Sequence, residues 1–366
     1  MRINRIALNG FRNYDFDTAE FSPGTNVIYG ENAQGKTNLL EAVYMLAMGR
    51  SFRTRFDREL IGFGCDSAEI LADIVSHERE QTVRILLRNG VRKQITVNAV
   101  KKTASELGET LNVVLFCPDD LNLIKEGAAA RRRLMDNAIS QIRPRYAEYL
   151  SQFNKFYESK TRILKDWREK PSLLDTLDEF SDGMCRASAQ LIRYRASFAA
   201  RLAEEAAPIH SEFSGADERL GIEYSTVSSV KDPTASAKEI FYDLCDHMEA
   251  HKKAELDSGQ CLSGAHKDDL IISINGKNAR SFASQGQTRT AALSIKLAER
   301  EIYLNETGEY PILLLDDVLS ELDTKRQEFV LNRIGGGQTL ITCCEDEGIS
   351  RRTGGKVLHV KNGRIG

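Results

Sequence analysis

The sequence has no apolar run long enough to cross a bilayer, no CxxC cysteine pairing, no net positive charge, and neither a repeat nor a low-complexity tract. Each absence narrows the field. A membrane-spanning helix needs about 20 consecutive apolar residues, and Met1-Arg2-Ile3-Asn4-Arg5 lacks the apolar core of a secretory signal, so a cytoplasmic protein with no membrane partner is expected. The seven cysteines, at 65, 117, 185, 245, 261, 343 and 344, lack zinc-ligand spacing and are read as reduced packing residues. With a formal net charge of −3, whole-chain electrostatics do not favour a polyanion, so any nucleic-acid contact must be local.

What is present is a chain of 366 residues, 28% charged and 41% hydrophobic, a size that suits about two lobes. Between Arg131 and Lys170 eleven Lys or Arg stand against five Asp or Glu, a local basic run where a nucleic-acid contact would be sought. Ile3, Ile6 and Leu8 suggest a first strand, and 26–29 a second that ends at a glycine. From Thr37 to Met48 the apolar positions 39, 40, 43, 46 and 47 predict a helix with one buried face. Residues 82–87 and 94–97 flank Asn89-Gly90 and predict an antiparallel flap. From Arg131 to about Ala207 the pattern is helical. Its aromatic stripe of Tyr146, Tyr149, Phe153, Phe156 and Tyr157 is read as a packed seam in preference to a base-stacking surface. Strands are expected at 220–227, 270–274 and 338–342, with helices at 235–255 and 286–303. The run Pro311-Ile312-Leu313-Leu314-Leu315 has the continuous apolarity of a strand buried on both faces.

Two motifs carry chemistry. Gly30-Glu31-Asn32-Ala33-Gln34-Gly35-Lys36-Thr37 matches GxxxxGK[ST] between a strand and a helix. Its amides and helix N-terminus suit phosphates, Lys36 the β- and γ-phosphates, and the Thr37 hydroxyl a Mg²⁺ ion. Asp316 and Asp317 end the apolar strand, where carboxylates line the crevice of a parallel sheet. Asp316 is assigned to Mg²⁺ and Asp317, with Lys36, to catalysis of ATP hydrolysis.

Ser284-Gln285-Gly286-Gln287 at a helix start resembles the signature segment of ABC-type ATPases. The resemblance sharpens to the RecF family through 8–14, 50–54, 116–121, 264–269, 282–287 and 315–323, in family order. Ala265 and Lys267 depart from it, standing where the family usually has Pro and Arg, and Lys267 lacks the planar fork of Arg.

The resemblance implies an α/β, ABC/SMC-like ATPase head with a P-loop sheet and antiparallel β flap, at 1–125 and 262–366. A mainly helical arm would be inserted at 126–261. It also implies that Ser284, Gly286 and Gln287 bind the γ-phosphate of a second copy's ATP, giving an ATP-dependent homodimer. Asp323 would communicate across that dimer, and Thr342 stands where transporter ATPases carry a sensing histidine. His266 is a candidate substitute, though a lone histidine is more often structural. Arg12, Asn13, Ser51 and Arg53 are candidates to approach nucleotide or DNA, with surface salt bridges the alternative. The implied activity is weak DNA-stimulated ATP hydrolysis on double-stranded and gapped or junction DNA, assisting recombinase loading with RecO- and RecR-type mediators. A transporter subunit would share the motifs but not the charged helical insertion, and a chromosome-organising clamp would need longer heptad arms.

Overall fold

A computed structural model describes residues 1–215, 217–344 and 348–366. In chain order the strands are β1 (Arg2–Phe11), β2 (Tyr14–Glu20), β3 (Thr25–Tyr29), β4 (Ser67–Ser76), β5 (Arg79–Arg88), β6 (Val91–Val97), β7 (Val100–Lys102), β8 (Val113–Phe116), β9 (Leu220–Ser225), β10 (Asp269–Ile274), β11 (Lys277–Asn278), β12 (Ile312–Asp316), β13 (Thr339–Cys343), β14 (Lys356–Lys361) and β15 (Arg364–Ile365). The helices are α1 (Lys36–Met48), α2 (Ala128–Ile142), α3 (Pro144–Asp166), α4 (Leu177–Ser214), α5 (Ala237–Ser258), α6 (Ala279–Phe282), α7 (Gln285–Thr307), α8 (Thr324–Arg333) and α9 (Ile349–Thr353). The chain divides into two compact units, one of Met1–Asn122 with Arg289–Gly366, the other of Leu123–Thr288.

The first unit contains two six-stranded sheets. In one, ordered β15-β14-β3-β13-β12-β8, every neighbour pair but β14–β15 is parallel. All residues of β12 and β13 are buried, as their unbroken apolarity requires. The other sheet, β2-β1-β4-β5-β6-β7, is antiparallel throughout. The expected hairpin across Asn89-Gly90 is its β5–β6 pair, with Gly90 at φ +71°. In β1 the buried residues Ile3 and Ile6 are three apart, which a two-residue period forbids, and a register shift between Ile3 and Arg5 restores both to the inner face.

α1 is not the one-faced helix its spacing predicts. Every residue from Leu39 to Met48 is buried, because α1 shares one core with β1, β4, β5 and β6 of the flap and with β3, β12, β13 and β14 of the parallel sheet. Each fully buried Leu or Met there contributes about 1.5–3 kcal/mol.

The second unit holds α2 to α6 and the three-stranded sheet β11-β10-β9. Its aromatic stripe packs as a seam: Tyr146 and Phe153 are buried, and Tyr146 and Tyr149 both meet Tyr194 while Phe156 meets Phe180. The units divide elsewhere than at the expected boundaries. Residues 262–288 fall in the second unit, because β10 pairs antiparallel with β9 from Asp269↔Ser225 to Ile274↔Leu220.

Candidate nucleotide site

β3 delivers the chain to Gly30 at the carboxyl end of the parallel sheet, and α1 leaves at Lys36. Gly30 has φ +155° and a Cβ there would lie 2.2 Å from the Val360 carbonyl oxygen, while at Gly35, φ +122°, it would meet Asn13 Nδ2 at 2.8 Å. Only glycine fits at either place. Gly35 is the N-cap of α1 and supplies no side-chain cap, and no acidic residue stands in the first turn, so the helix presents its N-terminal amides to an anion. Lys36 is buried, its Nζ donating to the carbonyls of Gly30 at 2.5 Å and Glu31 at 2.8 Å.

The parallel register sets Asp316 of β12 beside Thr342 of β13. Thr37 Oγ1 and Thr342 Oγ1 each donate to Asp316 Oδ1 at 2.9 Å, and Thr342 Oγ1 accepts from the Asp317 amide at 2.8 Å. Burial pushes the Asp316 carboxyl up from the usual carboxylate range, and the charge of Asp317 adds to the rise, while the bonds from Thr37 and Thr342 oppose it. Asp317 stands in the left-handed region at φ +52°, and its Oδ1 is buried without a hydrogen-bond partner. Such an orphan carboxylate oxygen is costly unless something binds it. The hydroxyl of Thr37 and carboxylate of Asp316 are hard oxygens at hydrogen-bonding distance, a pair that fits Mg²⁺ held mainly by phosphates and water. No cluster of three or more His, Cys, Asp or Glu suited to a metal occurs among the described residues.

Several residues shape this loop. Asn13 Nδ2 and the Gly363 amide both donate to the Gln34 carbonyl, the Asn362 amide donates to Gln34 Oε1, and Tyr14 donates to the Gly35 carbonyl. Cys344 Sγ lies 3.0 Å from Asn32 Oδ1. Arg12 makes a two-pronged pair with the fully buried Glu41, at 2.8 and 2.7 Å, and Ser51 bonds the same carboxylate. Arg53 donates to Asn38, whose amide bonds Asn13. Arg12, Ser51 and Arg53 are thus engaged within the protein. Glu41 and Asn362 had no signal beyond an acidic residue inside an apolar helix and one more Asn-Gly dipeptide.

The structure brings together Gly30, Glu31, Asn32, Ala33, Gln34, Gly35, Lys36, Thr37, Asp316 and Asp317 in the first unit. Ser284, Gly286 and Gln287 belong to the second. There Ser284 is exposed; its amide donates to Gln287 Oε1 at 2.9 Å and its Oγ accepts from the Gln287 amide at 3.2 Å, a reciprocal cap at the start of α7.

The block at 264–269 serves the second unit's core. Asp268 is fully buried and pairs with Arg195 at 2.6 Å, and Asp269 with Arg131 at 2.6 Å. His266 lies against Tyr157, its Nε2 beside the Cys261 carbonyl oxygen, and burial pulls its pKa down to about 4. A histidine held neutral in the fold loses stability on acidification, here as pH falls from about 6.5 through 4. His266→Phe is expected to flatten that limb by about 2 kcal/mol, which urea midpoints at pH 7 and 4.5 would show.

The basic run requires a correction. Arg131 is 3% exposed, bidentate to Asp269, and donates to the Leu123 and Glu126 carbonyls, so it is no DNA contact. Lys160 is likewise buried, 2.6 Å from Glu255. Arg133, Arg145 and Lys155 remain exposed.

Known proteins agree with this architecture. The RecF/RecN/SMC N-terminal domain model matches residues 2–362. The chain is 40% identical over 363 residues to the DNA replication and repair protein RecF of Acetivibrio thermocellus, covering 99% of this chain and 98% of that one. It is 41% identical over 360 residues to RecF of Listeria monocytogenes, at 96% and 95% coverage. A solved structure described as the recombination mediator protein RecF-ATPrS in the RecFOR pathway superposes with TM-score 0.92 at 33% identity, over 100% of this chain and 97% of that one. The corresponding RecF-ATP structure gives 0.90 at 34%, over 100% and 96%. An Smc head from Pyrococcus furiosus, at 17% identity and TM-score 0.57 over 99% and 94%, shares the fold. With a phosphate loop facing an acidic strand in an α/β head of this kind, and relatives matching from end to end, the chain belongs to the RecF family of the RecF/RecN/SMC N-terminal domain proteins.

Proposed function

We propose that this protein is a slow, DNA-stimulated ATPase that dimerises on ATP, acting at gapped or junction DNA to assist recombinase loading with RecO- and RecR-type mediators. The observation that carries the reading is Thr37 Oγ1 at 2.9 Å from Asp316 Oδ1, beneath the uncapped N-terminus of α1. The loop 30–37 would hold the triphosphate, with Lys36 exchanging its carbonyl partners for β- and γ-phosphate oxygens. Mg²⁺, held by Thr37 and Asp316, would neutralise phosphate charge. Asp317 would orient and deprotonate the attacking water. In the dimer the Ser284, Gly286 and Gln287 segment would receive the γ-phosphate bound by the other copy. RecF-ATP relatives support the nucleotide, and the relatives' RecFOR description supports the pathway.

ATP turnover and sedimentation, each with and without gapped duplex, test this directly. Lys36→Ala is expected to weaken ATP binding by about a hundredfold, since it deletes charge-assisted bonds to phosphate. Unchanged affinity in a titration with fluorescent ATP would remove the loop assignment.

For DNA, Arg133, Arg145 and Lys155 changed together to Ala are expected to lower the slope of log affinity against log salt by about 0.9 for each phosphate that is no longer neutralised. A salt series that leaves slope and affinity as in the parent would place the DNA surface outside this run. Arg131→Ala tests something else: it should lower stability by disrupting the pair with Asp269.

A further inference from the structure

The start of α7 is held by two charged side chains outside the motif. Lys125 Nζ donates to the carbonyls of Arg280 and Ala283 at 3.0 Å each, fixing the chain just before Ser284. On the other side, Gln287 uses its Oε1 to accept from the Ser284 amide, and its Nε2 donates to Glu218 Oε1 at 2.7 Å. The second oxygen of Glu218 lies 3.2 Å from Nε2 of His210, a fully buried residue in the last turns of α4.

We propose that Glu218 is a positioning residue for the Ser284–Gln287 segment, fixing the Gln287 amide so that Ser284 keeps its cap and its geometry toward an incoming phosphate. The inference rests on the proposed role of that segment in the ATP dimer.

A glutamine side chain turns about three bonds, and its amide can lie either way round. An ionised carboxylate only accepts, so Glu218 admits only the NH₂ end of Gln287 and leaves the carbonyl end for Ser284. The bond is charge-assisted and stronger than a neutral one. Without it, Gln287 can rotate away, the Ser284 amide loses its acceptor, and the cap opens. Through His210 the same carboxylate is fastened to α4, so the motif is set from the helical arm.

The experiment uses full-length parent, Glu218→Ala, Glu218→Gln and Ser284→Arg. ATP affinity of the monomer is read by anisotropy of a fluorescent ATP, and dimer formation with ATP and Mg²⁺ by sedimentation. Glu218→Ala is expected to bind ATP as the parent does while its dimer dissociation constant rises roughly tenfold. Glu218→Gln, which keeps an acceptor for Gln287, should return to within about threefold of the parent. Ser284→Arg should not dimerise. If Ser284→Arg loses the dimer while Glu218→Ala keeps it, the positioning role is wrong and the dimer reading stands. If Ser284→Arg dimerises normally, the dimer reading falls and takes the positioning role with it. Glu218→Gln as weak as Glu218→Ala would overturn the hydrogen-bond account.

Discussion

Asp317→Asn is expected to bind ATP with parental affinity and to hydrolyse it at least about a thousandfold more slowly, a loss in the range for removal of a general base. The substitution keeps size and shape. Asparagine also tolerates the left-handed backbone at φ +52°, so the amide bond to Thr342 persists and β12 should end as it does now. What changes is the basicity of the buried, unpartnered Oδ1. Because ATP joins the copies and hydrolysis releases them in the proposed cycle, the variant should accumulate as an ATP-bound dimer with a longer residence on DNA. Asp316→Asn should behave differently. It removes the carboxylate that Thr37 and Thr342 both contact, so Mg²⁺ binding weakens and the dimer forms only as Mg²⁺ is raised. Gel filtration with ATP and Mg²⁺, beside single-turnover assays, separates the two, and parental hydrolysis by Asp317→Asn would move the catalytic carboxylate elsewhere.

Arg195→Ala is expected to destabilise the second unit by about 3–5 kcal/mol. Arg195 is 2% exposed and bonds Asp136, Asp268, Tyr146 and the Ala265 carbonyl. Its loss leaves the buried Asp268 carboxylate without the guanidinium that pairs with it. Burial already holds the Asp268 carboxyl above its usual range, with Arg195 as the chief opposing influence, so in the variant it should take up a proton. A carboxyl whose folded pKa is raised contributes stability below its unfolded pKa and loses it as pH rises through the folded value. The deficit should therefore be smaller at pH 5 than at pH 7, measured by urea midpoint. Arg195→Lys should recover only part, since a point charge cannot serve partners spread around a planar fork. A midpoint equal to that of the parent at both pH values would show that the network is dispensable.

How much of this was legible in the sequence depended on chain distance. The loop 30–37 is contiguous, and its place between β3 and α1, with glycines demanded by backbone geometry, could be read outright. β12 could be read because a strand buried on both faces needs no periodicity. α1 misled for a related reason: its apolar positions mark one face, but Ala42, Tyr44 and Met45 also fill space between two sheets, and a one-face pattern cannot report a second covering layer. Arg131 misled more. Its position in a basic run suggested an exposed cation, while its partner Asp269 lies 138 residues further on and nothing local announces the pair. Glu218 lies in a polar connection before β9, and its bond to Gln287 becomes visible only once both are placed.

The clasp on Gln34 bears on how the protein is made. Two of the groups that bond Gln34 are amides of Asn362 and Gly363, far along the chain from the loop, and the neighbour of β3 on one side is β14. A ribosome emits residues 30–37 long before 356–363, so the nascent chain carries the phosphate motif without the support that shapes it. The clasp on Gln34 is thereby deferred until residues 356–363 have emerged, and a product that stops short of them should keep the entire motif yet, on the proposed reading, handle ATP poorly.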